Sequence, residues 1–190
     1  MNENASLRGD GPGRHGGHAS AVAGRIDHVD VEARVRAAVA ELPGVEVIAC
    51  DPALADTSDF CAAYGYSMDD SANAILVAGR AEPARFAVCV VLASTRLDVN
   101  RTVRRRFGVR KASFAPPDVT AEITGMAIGG VTPFALPAGL PLWIDQRVMD
   151  RQRIVVGGGS RAAKVVGPPD MLLTVPGAEV VADLAMAPAG

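Results

Sequence analysis

The sequence predicts an α/β domain in which a mixed β-sheet is covered by helices. Apolar residues at helical spacing and β-like apolar runs interleave along the chain without a strict βαβ rhythm. One run, Phe86 to Ala93, is apolar on both faces, as a central strand must be, and Gly or Pro residues separate most of the elements. No internal repeat is visible.

The elements follow in order. Val31, Val35, Ala38, Val39 and Leu42 recur at helical spacing from Val29 to Leu42, with Glu32, Arg34 and Arg36 elsewhere on the wheel, and Pro43-Gly44 ends the helix. Val45 to Ala49 alternates like a half-buried strand. Asp56-Thr57-Ser58-Asp59 offers a cap and early acidic residues for a helix reaching Tyr64 before Gly65. Ala72 to Ala78 and Phe86 to Ala93 form a hairpin around Gly79 to Pro83. Asp98 caps a helix to Phe107, Lys111 to Ala115 is a strand, and Pro116-Pro117-Asp118 starts a helix to Thr124. Past a loop-like stretch, strands are expected at Leu142-Trp143-Ile144, Arg153 to Val156, Ala163 to Val166 and Glu179 to Leu184, with a short helix from Asp170 to Val175.

At 190 residues with 49% hydrophobic and 21% charged residues, the chain suits one domain able to bury a core without disulfides or metal. Residues 1–24, rich in Gly, Asn, His and Ala, read as a flexible tail ahead of a domain spanning residues 25–187. A net charge of −2 excludes strong bulk attraction to polyanions, so any such partner is met by a local patch. Cys50, Cys61 and Cys89 lie in apolar sequence and are expected to be buried. The histidines, His15, His18 and His28, sit near the N-terminus, so no metal site and no cofactor is expected. The chain shows neither an apolar leader nor a stretch of ~20 apolar residues, and it reads as cytoplasmic.

Three segments can carry chemistry. Thr124 to Pro133 holds three glycines and a proline within nine residues; glycine lets backbone approach a ligand and present amides to a carbonyl oxygen or anion, or simply makes a tight turn. Val156 to Lys164 places Gly158, Ser160, Arg161 and Lys164 between two strands, where they either hold a phosphate or carboxylate or face water. Residues 101–111 carry six cations, among them Arg104, Arg105, Arg106, Arg110 and Lys111, which form a solvated helix face or meet RNA phosphates. Asp145, after Leu142-Trp143-Ile144, either ends a strand at a site rim or caps the next helix.

In this order, Ser71-Ala-Asn-Ala-Ile-Leu-Val77, Leu97-Asp-Val-Asn, Gly125…Gly129-Gly130-Val131-Thr132-Pro133-Phe134, Trp143-Ile144-Asp145 and the glycine loop before Arg161 resemble the YbaK family of prolyl-tRNA editing domains and free-standing aminoacyl-tRNA deacylases. The resemblance runs from His28 to Leu184. It implies a curved mixed sheet ringed by helices that holds the aminoacylated 3′ end of a tRNA. It further implies that the amides of Gly125, Gly129 and Gly130 polarise the ester carbonyl, and that Thr132, Pro133, Asp145, Gly158, Ser160 and Arg161 border the substrate. Hydrolysis in the family uses the substrate's ribose hydroxyl and a water, which agrees with the lack of any Ser-His-Asp or Cys-His set here.

The family's active-site lysine falls at Ala74, beside Asn73, so the usual cation is missing. Alternation points Asn73 to the opposite face unless the strand is bulged. Lys164 either restores the charge from across the site or faces solvent. Thr57, Ser58, Tyr64 and Met68 are expected to shape the amino-acid subsite. The resulting function is trans-acting hydrolysis of a mischarged small amino acid from tRNA, with a catalytically impaired binding module for a nucleotide or charged tRNA end as the alternative.

Overall fold

A computed structural model describes residues 28–187, with only the backbone of residues 28–30; the expected tail, with His15 and His18, lies outside the described residues. Helix α1 (His28–Val39) buries Val31, Val35 and Val39, one residue per turn on a single face. It ends a turn earlier than the spacing predicts, and Leu42 closes a turn back onto Val39. Strand β1 (Glu46–Ala49) and helix α2 (Thr57–Tyr64) follow. Asp56 occupies the N-cap of α2 but makes no capping bond, because its carboxylate pairs with Arg161 instead.

Strands β2 (Ala72–Gly79) and β3 (Arg85–Leu92) form the expected antiparallel hairpin through eight consecutive pairs. After β4 (Arg96–Leu97) the Asp98 carboxylate accepts from the Arg101 and Thr102 amides, starting a π-turn that runs into α3 (Arg104–Phe107). Then come β5 (Ala112–Phe114), α4 (Pro117–Thr124), β6 (Leu142–Asp145), the short helix α5 (Gln146–Met149), β7 (Ile154–Gly157) and β8 (Ala163–Gly167). A 3-10 turn over Pro169–Thr174 stands at the place of the expected short helix, and β9 (Ala178–Val181) and β10 (Ala185–Met186) close the described chain.

Five strands form a mixed sheet in the order β5-β2-β3-β6-β9, parallel at β3/β6 and β6/β9 and antiparallel elsewhere. As its sequence requires, β3 is central, and Val88, Cys89 and Val90 have no exposed surface. A second, antiparallel sheet, β1-β8-β7, is joined to the first by a parallel bridge between Ser71 and Val155; β4 and β10 form a separate pair.

The sheets divide the interior into three cores. Leu76, Val88 and Val90 on one face of the large sheet meet Val156 and Val165 of the small sheet together with α1 and Phe134. On the opposite face Val77, Ala87 and Cys89 pack under Val103, Phe107 and Trp143. Helix α2 covers the outer face of the small sheet with Phe60 and Cys61 against Val155 and Val166. A fully buried Val or Phe of this kind contributes about 1.5–3 kcal/mol relative to leaving it exposed. All three cysteines are free and buried, as expected.

The junction of the two sheets makes the site. The outer edge of β2 is held by β7 at Ser71 and by β5 from Val77 onward. Between them Asn73 to Ile75 pair only with β3. The Leu76 carbonyl accepts from Ala115 at this outer edge and the Ser71 carbonyl accepts from Ala93 on the inner side. By alternation, the N–H and C=O of Ala74 also point to the open edge.

Candidate active site

A cavity of about 400 Å³ opens at this gap. Its floor is β2 from Ser71 to Leu76, one wall is Ala55 to Thr57 with Phe60 of α2, and β7 with Lys164 of β8 forms another. Ile128, Gly129 and Val131 of the glycine-rich loop and Phe114 of β5 complete the rim.

Lys164 does not face solvent. It shares the α2-covered face of β8 with Val166, is 6% exposed, and donates from Nζ to the Ala55 carbonyl at 2.7 Å. Its ammonium lies 5.2 Å from the centre of the Phe60 ring. Burial pushes its pKa below the ordinary lysine value. A lysine ammonium has three donors, and one is committed to Ala55.

Thr57, Asn73 and Ala74 also line the cavity. Strand β2 is not bulged, so Asn73 and Ala74 do face opposite sides. Both reach the cavity because the strand's open edge is its floor. Ala74 packs toward the main core, while Asn73 accepts a hydrogen bond from the Thr57 hydroxyl at 2.7 Å.

The two glycine-rich segments form one unit. The Gly159 amide donates to the Gly130 carbonyl at 2.9 Å. A Cβ on Gly157 would fall 2.0 Å from the Val131 carbonyl oxygen, and one on Gly130 2.6 Å from the Ser160 backbone. Gly129, at φ +88°, lies against the Arg161 guanidinium. Close backbone packing therefore accounts for most of these glycines without a ligand.

This arrangement corrects several expectations. The Gly125 amide is spent on Ala121 at the C-terminus of α4 and the Gly130 amide on Ala127 in a turn, so neither is a free donor. The Gly129 amide, at the cavity wall, has no partner among the described residues. Thr132 is wholly buried with its hydroxyl accepting from the Phe134 amide, and neither it nor Pro133 borders the cavity. Asp145 is a buried cap, accepting from the Arg147 amide at 3.0 Å and the Ala185 amide at 2.7 Å. Gly158 packs on Ala163, and the Ser160 hydroxyl donates to Glu32 of α1. Arg161 does not line the cavity and is held beside Gly129 by the Pro52 carbonyl and Asp56. Ser58, Tyr64 and Met68 lie on exposed surface outside the cavity, Tyr64 stacking on Phe60 and accepting from the Asp51 amide.

Phe60, Ile128 and Phe114 line the cavity without having been singled out by sequence patterning. Ile128, an apolar residue inside a glycine loop, carries a signal; Phe114, in a three-residue strand, carries none. In the basic run Arg106 bonds Glu179 and lies over Trp143, whereas Arg104, Arg105, Arg110 and Lys111 are exposed. Among the described residues no helix is long and apolar enough to cross a membrane.

The cavity thus combines the buried Lys164 ammonium and the Gly129 backbone with the Thr57 and Asn73 side chains and the Asp56 carboxylate, a polar lining able to hold a carbonyl or anionic group. The sequence model of the aminoacyl-tRNA editing domain matches residues 51–175, and the chain belongs to that family. Aminoacyl-tRNA editing is the function this membership carries. A solved protein described as a candidate trans-editing enzyme for prolyl-tRNA synthetase superposes with a TM-score of 0.70 at 25% identity, covering 82% of this chain and 97% of that one. A hypothetical protein matches with a TM-score of 0.70 at 24% identity, over 82% of this chain and 99% of its own. A candidate signal-transduction protein from Marinobacter aquaeolei shares the fold with a TM-score of 0.54 at 17% identity, over 81% of this chain but 30% of that chain, so there the fold is part of a longer protein.

Proposed function

We propose that this protein hydrolyses the ester joining a mischarged small amino acid to the 3′ end of a tRNA, acting in trans. The observation that carries this reading is the buried Lys164 ammonium on the wall of a cavity whose floor holds Ala74, the position at which the family resemblance implies a lysine. Lys164 supplies the positive charge from the opposite strand. Its two uncommitted donors and the Gly129 amide stabilise the oxyanion that develops on the ester carbonyl.

In the step itself a water oxygen bonds to the carbonyl carbon, the carbon–oxygen bond to the ribose breaks, and the water's proton passes to the leaving ribose oxygen. The substrate's neighbouring ribose hydroxyl orients the water. No histidine lines the cavity among the described residues, and its one carboxylate, Asp56, is paired with Arg161. A protein base is therefore not needed for the reading. Thr57 and Asn73, tied to each other, fix the shape of the amino-acid subsite. Arg104, Arg105, Arg110 and Lys111 contact RNA phosphates.

The test is a panel of mischarged tRNAs assayed for hydrolysis and for binding at two salt concentrations. Turnover of a small aminoacyl ester with salt-sensitive binding is expected. Failure to turn over any member of the panel overturns the reading.

A further inference from the structure

Phe114 takes no part in the ester chemistry, yet it is 53% exposed and lines the cavity mouth. It is also opposite Val77 in the β2/β5 register, so its side chain projects from the same face of the sheet as Val77, Ile75 and Asn73. That face is the one covered by Val103 and Phe107 of the segment carrying the cations. Exposed Arg104 and Arg105 ride on this segment, and exposed Arg110 and Lys111 lead into β5. One face of the sheet thus presents cations, an unshielded aromatic ring and the cavity entrance in succession. What sets the ring apart from the other exposed apolar side chains is its place at the mouth beside exposed cations.

We propose that Phe114 is a stacking platform for an unpaired base at the 3′ end of the RNA, holding the terminal nucleotides while the ester enters the cavity. Single-stranded nucleic acid is bound in this way elsewhere: cations track the backbone, and an aromatic ring stacks a base with little regard to its identity. This inference rests on the editing reading for its RNA partner, but it concerns binding, not chemistry. Ile128, 52% exposed on another part of the rim, adds apolar surface at the same mouth.

The experiment measures binding of an uncharged acceptor-stem RNA hairpin with an unpaired 3′ overhang, and of the same hairpin with a blunt end, to the full chain. Wild type is expected to prefer the overhang. Phe114→Ala should weaken overhang binding about 5- to 150-fold, on the order of one stacked base, while leaving blunt binding unchanged. Phe114→Trp should retain the preference. A wild type indifferent to the overhang, a Phe114→Ala variant that keeps the preference, or an equal loss for both hairpins overturns the proposal. Hydrolysis is scored separately: overhang binding that depends on Phe114 without turnover of any charged tRNA sinks the editing reading and leaves the platform, and turnover with Phe114-independent binding does the reverse.

Discussion

The Lys164 ammonium and the Ala55 carbonyl, 2.7 Å apart, join β8 to the segment that leads into α2 and hold a cation inside the cavity. Burial lowers the lysine's pKa, so the ammonium is retained at a cost to the folded state. The unfolded chain holds that proton more tightly. Between the lowered folded pKa and the ordinary lysine value of 10.5, unfolding therefore takes up a proton, and stability rises with pH through that window. Below it the cost is fully present. Lys164→Met should accordingly be more stable than wild type at neutral pH, with the difference shrinking as pH approaches the ordinary lysine value. Urea unfolding at several pH values checks this, and a constant difference contradicts it.

The packing of the glycine loops against each other gives a second prediction. Gly157→Ala forces a Cβ to within 2.0 Å of the Val131 carbonyl oxygen, and backbone on both sides must move. A loss of about 3 kcal/mol or more is expected, since overpacking of well-fitted backbone is among the most damaging single changes. Gly139→Ala is the control. It meets no neighbour within 4 Å and suffers only its φ of +81°, a cost of about 1 kcal/mol. Thermal unfolding of the two variants should separate them clearly.

Asp145 is expected to matter for folding and not for chemistry. Its carboxylate, fully buried, serves the Arg147 amide, the Arg147 guanidinium and the Ala185 amide. Asp145→Ala leaves buried donors unpaired and should destabilise by about 2–4 kcal/mol. Activity per folded molecule should be unchanged; a selective drop in turnover at full folding would restore Asp145 to the site.

The cations should divide in two. Arg104 and Arg105 are exposed, whereas Arg106 is committed to Glu179 and Trp143. Removing Arg104 or Arg105 should reduce the slope of log affinity for RNA against log salt by about 1 for each phosphate left without its cation. Arg106→Ala should leave the slope alone and lower stability, because the guanidinium no longer covers Trp143. Binding titrations across a salt series, with a melting curve for each variant, check both halves.

Local signals in the sequence are readable where the structure uses local physics. The doubly apolar run at β3 is the central strand, and Asp98 is a cap because its carboxylate reaches amides three and four residues ahead. The glycine clusters are conspicuous, but their partnership is a hydrogen bond between Gly130 and Gly159, far apart in sequence, and composition cannot pair them. Gly125 and Gly130 look like free donors from composition as well, but local turns spend their amides on the Ala121 and Ala127 carbonyls. For Lys164 the strand pattern establishes only which face of β8 it shares with Val166. Whether that face meets water depends on α2, and Phe60 decides it. Phe114 escapes a sequence reading because a three-residue strand shows no periodicity.

Relocation of the cation from position 74 to Lys164 is tested most directly by single-turnover deacylation of mischarged tRNA with wild type, Lys164→Met, and Lys164→Met combined with Ala74→Lys. Wild type should hydrolyse the ester, and Lys164→Met should be slower by about 100-fold or more, the scale for loss of a group that stabilises an oxyanion. Because Ala74 lines the same cavity, the added lysine should recover part of that loss. Equal rates for wild type and Lys164→Met would contradict the relocation.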